Sequence, residues 1–79
     1  MDRIDTMRAF VAVVAQSSFS DAAKSLQLSP QLVSKYVSKL EEQLGVRLLH
    51  RTTRKLSLTE AGTHYYEHAQ QILLSIDEM

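Results

Sequence analysis

The sequence predicts a small, mainly α-helical fold, in which a three-helix core carries a short two-stranded wing and is followed by a long C-terminal helix. Apolar residues recur at helical spacing over most of the 79 residues. After Gly45 this periodicity changes, and the short β-tolerant segments VRLLHR and KLSLT flank the polar segment TTR. Residues that favour helix ends, such as Ser29, Gly45 and Thr59, mark the boundaries of the elements.

Length and composition restrict the class of protein. A chain of 79 residues, of which 44% are hydrophobic, is predicted to form one small folded domain. It contains no cysteine, which excludes disulfides and thiolate metal sites. No apolar run approaches the roughly 20 residues of a membrane span. AFVAVVA is interpreted as buried helix and not as a signal peptide, because Asp2, Asp5 and Arg8 precede it.

The first two helices are predicted from apolar spacing and from one capping pattern. Ser18-Phe19-Ser20-Asp21 has the Ser-x-x-acid form of a capping box, which starts a second helix near Phe19 that continues to about Leu26. Ala23 is small enough to let another helix approach closely. The first helix is predicted over 2–16, and its core-facing residues are Ile4, Met7, Val11 and Val14, with Phe10 beside them.

The segment SPQLVSKYVSKLEEQLG predicts a third helix, over about 30–44, with a polar outward face. Ser29 is its N-cap, Pro30 its first residue and Gly45 the residue past its end. A short helix, a tight turn and a longer helix form the helix-turn-helix arrangement, although a generic helical pair remains an alternative. The predicted core stripe is Val33, Val37, Leu40 and Leu44, and the outward side chains are Gln31, Ser34, Lys35, Ser38 and Lys39.

Charge is sorted along a chain that is neutral as a whole. Residues 31–56 carry six basic and two acidic side chains, whereas residues 57–79 carry four acidic side chains and no Lys or Arg. The basic block therefore begins inside the third helix and continues into the wing. This distribution favours a polyanionic partner, and a solvated surface is the alternative.

The last helix is predicted to begin after the cap Thr59, to continue to about Met79 and to pair with a second copy of the chain. Gly62 in its first turn permits close packing on the wing. Tyr65, Ala69, Ile72, Ile76 and Met79 form one apolar seam, and Tyr66 and Leu73 extend a second. One seam is expected to cover the first helix and the other to face the partner in a two-fold homodimer. The predicted dimerisation residues are Tyr65, Ala69, Ile72, Leu73 and Ile76.

LSPQLVSKYVSKLEEQLGVRLLHRTTRKLSLTEAG resembles the N-terminal DNA-binding domain of LysR-type transcriptional regulators, and the resemblance covers essentially all of the chain. It implies a winged helix-turn-helix over 1–58 and a linker helix over 59–79. It also implies a cytoplasmic bacterial regulator that binds double-stranded DNA as a dimer. An effector-binding domain, absent from these 79 residues, would take any small-molecule effector.

The resemblance places DNA contacts on the start of the third helix and on the wing. An α-helix fits the major groove. There Gln31 can form hydrogen bonds with adenine, Ser34 can donate or accept a hydrogen bond, and Lys35 can donate hydrogen bonds to guanine or to a phosphate. Arg51 and Arg54 suit phosphates and a narrow minor groove. The predicted DNA-binding residues are Pro30, Gln31, Ser34, Lys35, Ser38, Lys39, Arg51 and Arg54.

Two other classes of function are weaker alternatives. His64-Tyr65-Tyr66-Glu67-His68 matches the H-x-x-E-H pattern of inverzincin proteases, but only eleven residues follow His68 and they leave no room for a substrate cleft. A pure dimerisation or adaptor module would make Lys35 and the wing arginines dispensable. The sequence therefore predicts no enzyme activity, no metal site and no cofactor.

Overall fold

The computed structural model describes residues 3–50 and 56–78 of the chain, and within them the predicted fold class is confirmed. The predicted bounds of the second and third helices agree with the structure. None of the helices in these two ranges combines the length and the hydropathy that a membrane crossing requires. The elements are α1 (Arg3–Gln16), α2 (Phe19–Leu26), α3 (Pro30–Leu44), β1 (Leu49–His50), β2 (Ser57–Leu58) and α4 (Glu60–Asp77).

A side-chain hydroxyl caps the N-terminus of each of the helices α2, α3 and α4. In each case the residue before the helix is extended, and its hydroxyl oxygen accepts a hydrogen bond from the N–H three residues later. This bond satisfies one of the N–H groups that a helix N-terminus leaves without a partner. The three pairs are Ser18 with Asp21, Ser29 with Leu32, and Thr59 with Gly62.

The C-termini of α1, α2 and α3 share one geometry. A residue in the left-handed conformation follows each helix, and the next N–H donates to the carbonyl five residues back. Gly45 takes this position after α3, with a φ of 72°. Ser17 (φ 52°) and Gln27 (φ 59°) take it after α1 and α2, although neither is a glycine.

The hydrophobic core lies where α1 packs against α2 and α3. Ala22 and Ala23 of α2 are buried at this contact, as the small side chains predicted. Leu26 and Leu28 pack against the core from either side of the turn between α2 and α3. The largest buried side chains of α1 and α3 are Phe10, Val13, Val33, Val37 and Leu40.

The predicted core stripe of α1 is confirmed at Met7, which is buried, and differs from the structure at its other three positions. Ile4 is 40% exposed, and Val11 and Val14 are only partly buried. The buried face contains Phe10, as predicted, together with Ala9 and Val13. AFVAVVA is apolar all around the helix, so apolar spacing alone does not determine which side turns inward.

The wing is an antiparallel pair of two-residue strands, in which Leu49 lies opposite Leu58 and His50 opposite Ser57. Its base is held by the start of α4. Thr59 N–H donates to Leu48 O at 3.0 Å, and Thr59 Oγ1–H donates to Arg47 O at 2.6 Å. Such short strands are marginal on their own, so these contacts position the wing.

Gly62 brings α4 close to the base of the wing, as its position in the sequence predicted. A Cβ at this position would collide with the carbonyl oxygen of Leu48 and approach the side chain of Leu58. Farther along, Ala69 and Leu73 of α4 are buried together with Met7 of α1. The helix is therefore attached at its start to the wing and along its length to α1.

Candidate nucleic-acid interface

The outward face of α3 presents polar side chains to solvent, as predicted. Gln31, Lys35, Ser38 and Lys39 are exposed, Ser34 is half-buried and Pro30 lies exposed at the start of the helix. The opposite face is fixed in the core through Val33, Val37 and Leu40, and Tyr36 packs against the same core. Leu44, the fourth member of the predicted core stripe, is instead 36% exposed because it lies at the end of the helix.

The chemistry of this face suits the edges of base pairs and the phosphates beside them. Its amide and hydroxyl groups both donate and accept hydrogen bonds, and its two lysines only donate. The Nζ atom of Lys39 lies 3.9 Å from Glu42 Oε1, an exposed ion pair that a phosphate can replace at little cost. The face therefore offers polar groups on a rigid helix.

The wing is the second predicted contact surface. Arg51 and Arg54, the predicted wing contacts, lie outside the described residues, as does Lys55. The two strands that flank residues 51–55 are described, and Leu49 of β1 is buried in the core. The base of the wing is thus part of the folded core.

Glu41 is an acidic residue of α3 for which the sequence predicted no role. Although it carries a charge, only 6% of its surface is exposed. Its Oε2 atom accepts hydrogen bonds from the N–H groups of Leu48 at 2.7 Å and Leu49 at 3.2 Å, and Oε1 lies 3.6 Å from Arg47 Nη1. The available signal was its position: Glu41 follows Val37 by four residues and so lies on the buried side of α3.

The predicted dimerisation residues are divided between two roles. Ala69 and Leu73 are buried against Met7 within the same chain, and Tyr65 packs against both core clusters. Ile76 is half-buried, while Ile72 has 46% of its surface exposed. The predicted separation into one seam for α1 and one for a partner therefore differs from the structure, in which both seams contribute to the packing on α1.

Two side-chain contacts join α4 to α1, and the surroundings of each shift a pKa. Arg8 Nη2 donates to Asp77 Oδ1 at 2.9 Å, and this hydrogen bond lowers the pKa of Asp77 below its ordinary value and raises that of Arg8. Burial raises the pKa of Tyr65, whose ring meets that of Phe10 edge-on with centroids 5.7 Å apart. Neither group lies on the polar face of α3.

His64 and His68 lie one helical turn apart on α4, with ring centroids 4.6 Å apart. Within residues 3–50 and 56–78, no group of three His, Cys, Asp or Glu side chains is placed to hold a metal ion. A protein metal site normally uses at least three such ligands. The two histidines of the H-x-x-E-H pattern thus lie side by side on one face of the helix.

A family model described as bacterial regulatory helix-turn-helix protein, lysR family, matches residues 4–63. CrgA, an HTH-type transcriptional regulator of Neisseria meningitidis, is 52% identical over 69 residues, which are 87% of this chain and 23% of that protein. An HTH-type transcriptional repressor of Pseudomonas aeruginosa is 51% identical over 79 residues, all of this chain and 25% of that protein. The chain thus spans about a quarter of the length of these relatives.

A solved structure with a similar fold is the BenM DNA-binding domain in complex with catB site 1 DNA. Its TM-score is 0.93 at 37% identity, and the match covers 100% of this chain and 88% of that one. Full-length BenM matches with a TM-score of 0.91, over 100% of this chain and 26% of that chain. These neighbours share the order of helices and wing described above.

Proposed function

Because the chain belongs to the LysR family of bacterial regulatory helix-turn-helix proteins, we propose that it reads specific DNA sequences by inserting α3 into the major groove while the wing contacts the backbone and minor groove. The observation that carries this proposal is the exposed polar face of α3 on a helix whose other face is fixed in the core. A rigid helix of this kind presents its side chains without an additional cost of ordering the backbone.

The residues on α3 take different roles in this proposal. Gln31 and Ser34 near its start contact base edges, because the N-terminal part of a recognition helix enters the groove. Lys35 contacts guanine or a nearby phosphate, and Ser38 and Lys39 contact the backbone farther along. Pro30 sets the entry of the helix.

The wing residues complete the contact. Arg51 and Arg54 contact phosphates and the minor groove on either side of the bound major groove. The basic block over residues 31–56 supports this assignment, since it joins the third helix to the wing in an otherwise neutral chain. Such contacts supply affinity and register more than sequence information.

Dimerisation through α4 would give the two-fold symmetry that paired half-sites require. Ile72 and Ile76 are the predicted residues with apolar surface left for a partner, together with the edge of Tyr65. Ala69 and Leu73 support the interface from behind by fixing α4 on α1.

In the longer protein implied by the length of its relatives, this chain would act as the DNA-binding part of a cytoplasmic transcriptional regulator. An effector-binding domain would follow α4 and take the small-molecule effector. The chain itself would have no enzyme activity, in keeping with relatives that are transcriptional regulators.

Selection of binding sites from a random duplex library tests this function directly. We expect enriched sites with two related half-sites, and a binding constant that falls with salt on a log–log slope of about −0.9 per neutralised phosphate. Failure to enrich any sequence, with binding that does not respond to salt, would contradict the proposal.

Ser34→Ala and Gln31→Ala provide the comparison between base contacts and backbone contacts. Both changes are expected to alter the enriched sequence, whereas Arg54→Ala is expected to weaken all sites similarly and to reduce the salt slope by about 1. Identical sequence preferences in all three variants would contradict the assignment of α3 as the reading element.

A further inference from the structure

The segment between α3 and the wing is held from both sides through one residue, Leu48. Its N–H donates to the Glu41 carboxylate of α3, and its carbonyl accepts from the N–H of Thr59 at the start of α4. The side chain of Leu48 is fully buried. Leu48 therefore links the recognition helix to the element that supports the wing.

On the α3 side, Glu41 makes most of this link. Its backbone carbonyl accepts hydrogen bonds from the N–H groups of Gly45 and Val46, and its carboxylate accepts hydrogen bonds from those of Leu48 and Leu49. One side chain and its own backbone thus bind four of the five N–H groups from residue 45 to residue 49. Arg47, whose side chain is 72% exposed, adds an ion pair from the solvent side, which contributes little on its own.

We propose that Glu41 is a positioning residue for DNA binding, because its carboxylate fixes the base of the wing against the end of α3 and lets both elements contact one duplex together. This inference rests on the proposed function. Hydrogen bonds from N–H groups to a charged acceptor are strong and directional, so they hold strand β1 at one angle to α3. Without them the wing contacts would require additional ordering when DNA binds.

The charge of Glu41 makes the inference easy to separate from simple electrostatics. Removing a carboxylate from a DNA-binding surface reduces repulsion of the phosphates and by itself tightens binding. A positioning role predicts the opposite result for Glu41→Gln, which keeps the size of the side chain but weakens its bonds to Leu48 and Leu49. The sign of the change in DNA affinity therefore distinguishes a positioning role from a purely electrostatic effect.

The experiment compares Glu41→Gln with Glu42→Gln on a selected duplex. Glu42 is the matched control because it is the next residue on α3, is exposed and pairs only weakly with Lys39. We expect Glu41→Gln to weaken binding about tenfold and Glu42→Gln to tighten it by about twofold. Tighter binding by both variants would overturn the proposal.

A double-mutant cycle with Arg54→Ala tests whether Glu41 acts through the wing. If it does, Glu41→Gln weakens binding much less in the Arg54→Ala background than in the wild type. In the Gln31→Ala background, where the wing is unchanged, the full loss is expected. If Glu41→Gln lowers the affinity by the same factor in both backgrounds as in the wild type, the positioning role is overturned. A general loss of stability would then be the explanation.

A distance measurement tests the same proposal without DNA. Because the chain has no cysteine, Gln43→Cys on α3 and Ser57→Cys on β2 place two spin labels at exposed positions. Glu41→Gln, or Glu41→Asp where the amide variant folds poorly, is expected to broaden the distance distribution, and Glu42→Gln is expected to leave it unchanged. An unchanged distribution in every variant, with DNA binding by the wild type intact, would overturn the inference alone. Absence of DNA binding by the wild type would overturn the proposed function and, with it, this inference.

Discussion

The two longest helices among the described residues, α3 and α4, differ in how far their apolar side chains are buried. In α3 the central apolar residues Val33, Val37 and Leu40 are fully buried, and the exposed face is polar. In α4 the buried residues are fewer and smaller, and large apolar side chains remain exposed, with Ile72 at 46% and Leu74 at 61%.

The difference indicates different partners for the two helices. A helix whose apolar residues are already covered gains nothing from an apolar partner, so the polar face of α3 is suited to a polar ligand such as DNA. The uncovered apolar surface of α4 loses contact with water when a second copy covers it. In the proposed function, DNA binding and dimerisation would therefore use separate surfaces of a small domain.

The largest expected effect is at the attachment of α4. Gly62→Ala places a Cβ against the carbonyl oxygen of Leu48, a backbone atom that cannot move aside without shifting the base of the wing. We expect a loss of about 3 kcal/mol in the free energy of unfolding. Urea denaturation measured by circular dichroism gives this value.

Gly45→Ala, at the end of α3, is the control for this prediction. Gly45 has a φ of 72° but no atom within 4 Å of an added Cβ. Its replacement is expected to cost only about 1 kcal/mol, from the left-handed backbone alone. Equal losses in the free energy of unfolding at the two glycines would show that the contact between Gly62 and the Leu48 carbonyl leaves room for a Cβ.

The second effect concerns the exposed face of α4. Ile72→Asp is expected to weaken dimerisation about a hundredfold, because a two-fold interface contains the change twice and would bury both carboxylates. Sedimentation equilibrium at tens of micromolar measures the association. Gln71→Asp, an exposed neighbour on α4, carries the same charge and should leave dimerisation nearly unchanged.

The third effect concerns the polar face of α3. Lys35→Ala is expected to weaken DNA binding about fivefold and to reduce the magnitude of the log–log salt slope by about 0.9, while the free energy of unfolding stays within about 0.5 kcal/mol. Fluorescence anisotropy over a salt series measures both. Lys24→Ala, an exposed lysine on α2, is the matched control, and a loss as large as that of Lys35→Ala would contradict the assignment.

The smallest expected effect is at the far end of α4. The hydrogen bond from Arg8 lowers the pKa of Asp77 in the folded state, so the pair stabilises the fold fully above the ordinary pKa of 3.8. This stabilisation disappears as the pH falls through the lowered pKa. The small advantage in Tm of wild type over Asp77→Asn near pH 6 should therefore decrease as the pH falls below 3.8, and should also shrink in high salt because both groups are exposed.

Helix boundaries were predictable because local chemistry sets them. Ser18, Ser29 and Thr59 each cap a helix as predicted, and Gly45 ends α3. The inward face of α1 was not predictable, since a segment that is apolar on every side takes its orientation from tertiary packing. The burial of Ala9 and Val13, while Ile4 remains exposed, is such a tertiary effect.

The candidate site was predictable where it depends on one helix. The outward position of Gln31, Lys35 and Ser38 follows from the helical repeat. The buried position of Glu41 follows from the same repeat, but its hydrogen-bond partners are backbone N–H groups beyond the end of its own helix, which no local pattern reveals. The predicted division of α4 into two seams differed from the structure for a similar reason, since both seams meet α1.

Ser17 and Gln27, the two non-glycine residues with left-handed backbone among the described residues, are positions at which the fold can be stabilised. Each holds a conformation that glycine adopts without steric cost. Replacing either residue by glycine is therefore expected to raise the free energy of unfolding by less than about 1 kcal/mol. Both positions lie apart from the outward face of α3 and from the exposed apolar residues of α4. A change at either position would therefore raise the thermal stability of the domain without touching the surfaces proposed to bind DNA and a second copy.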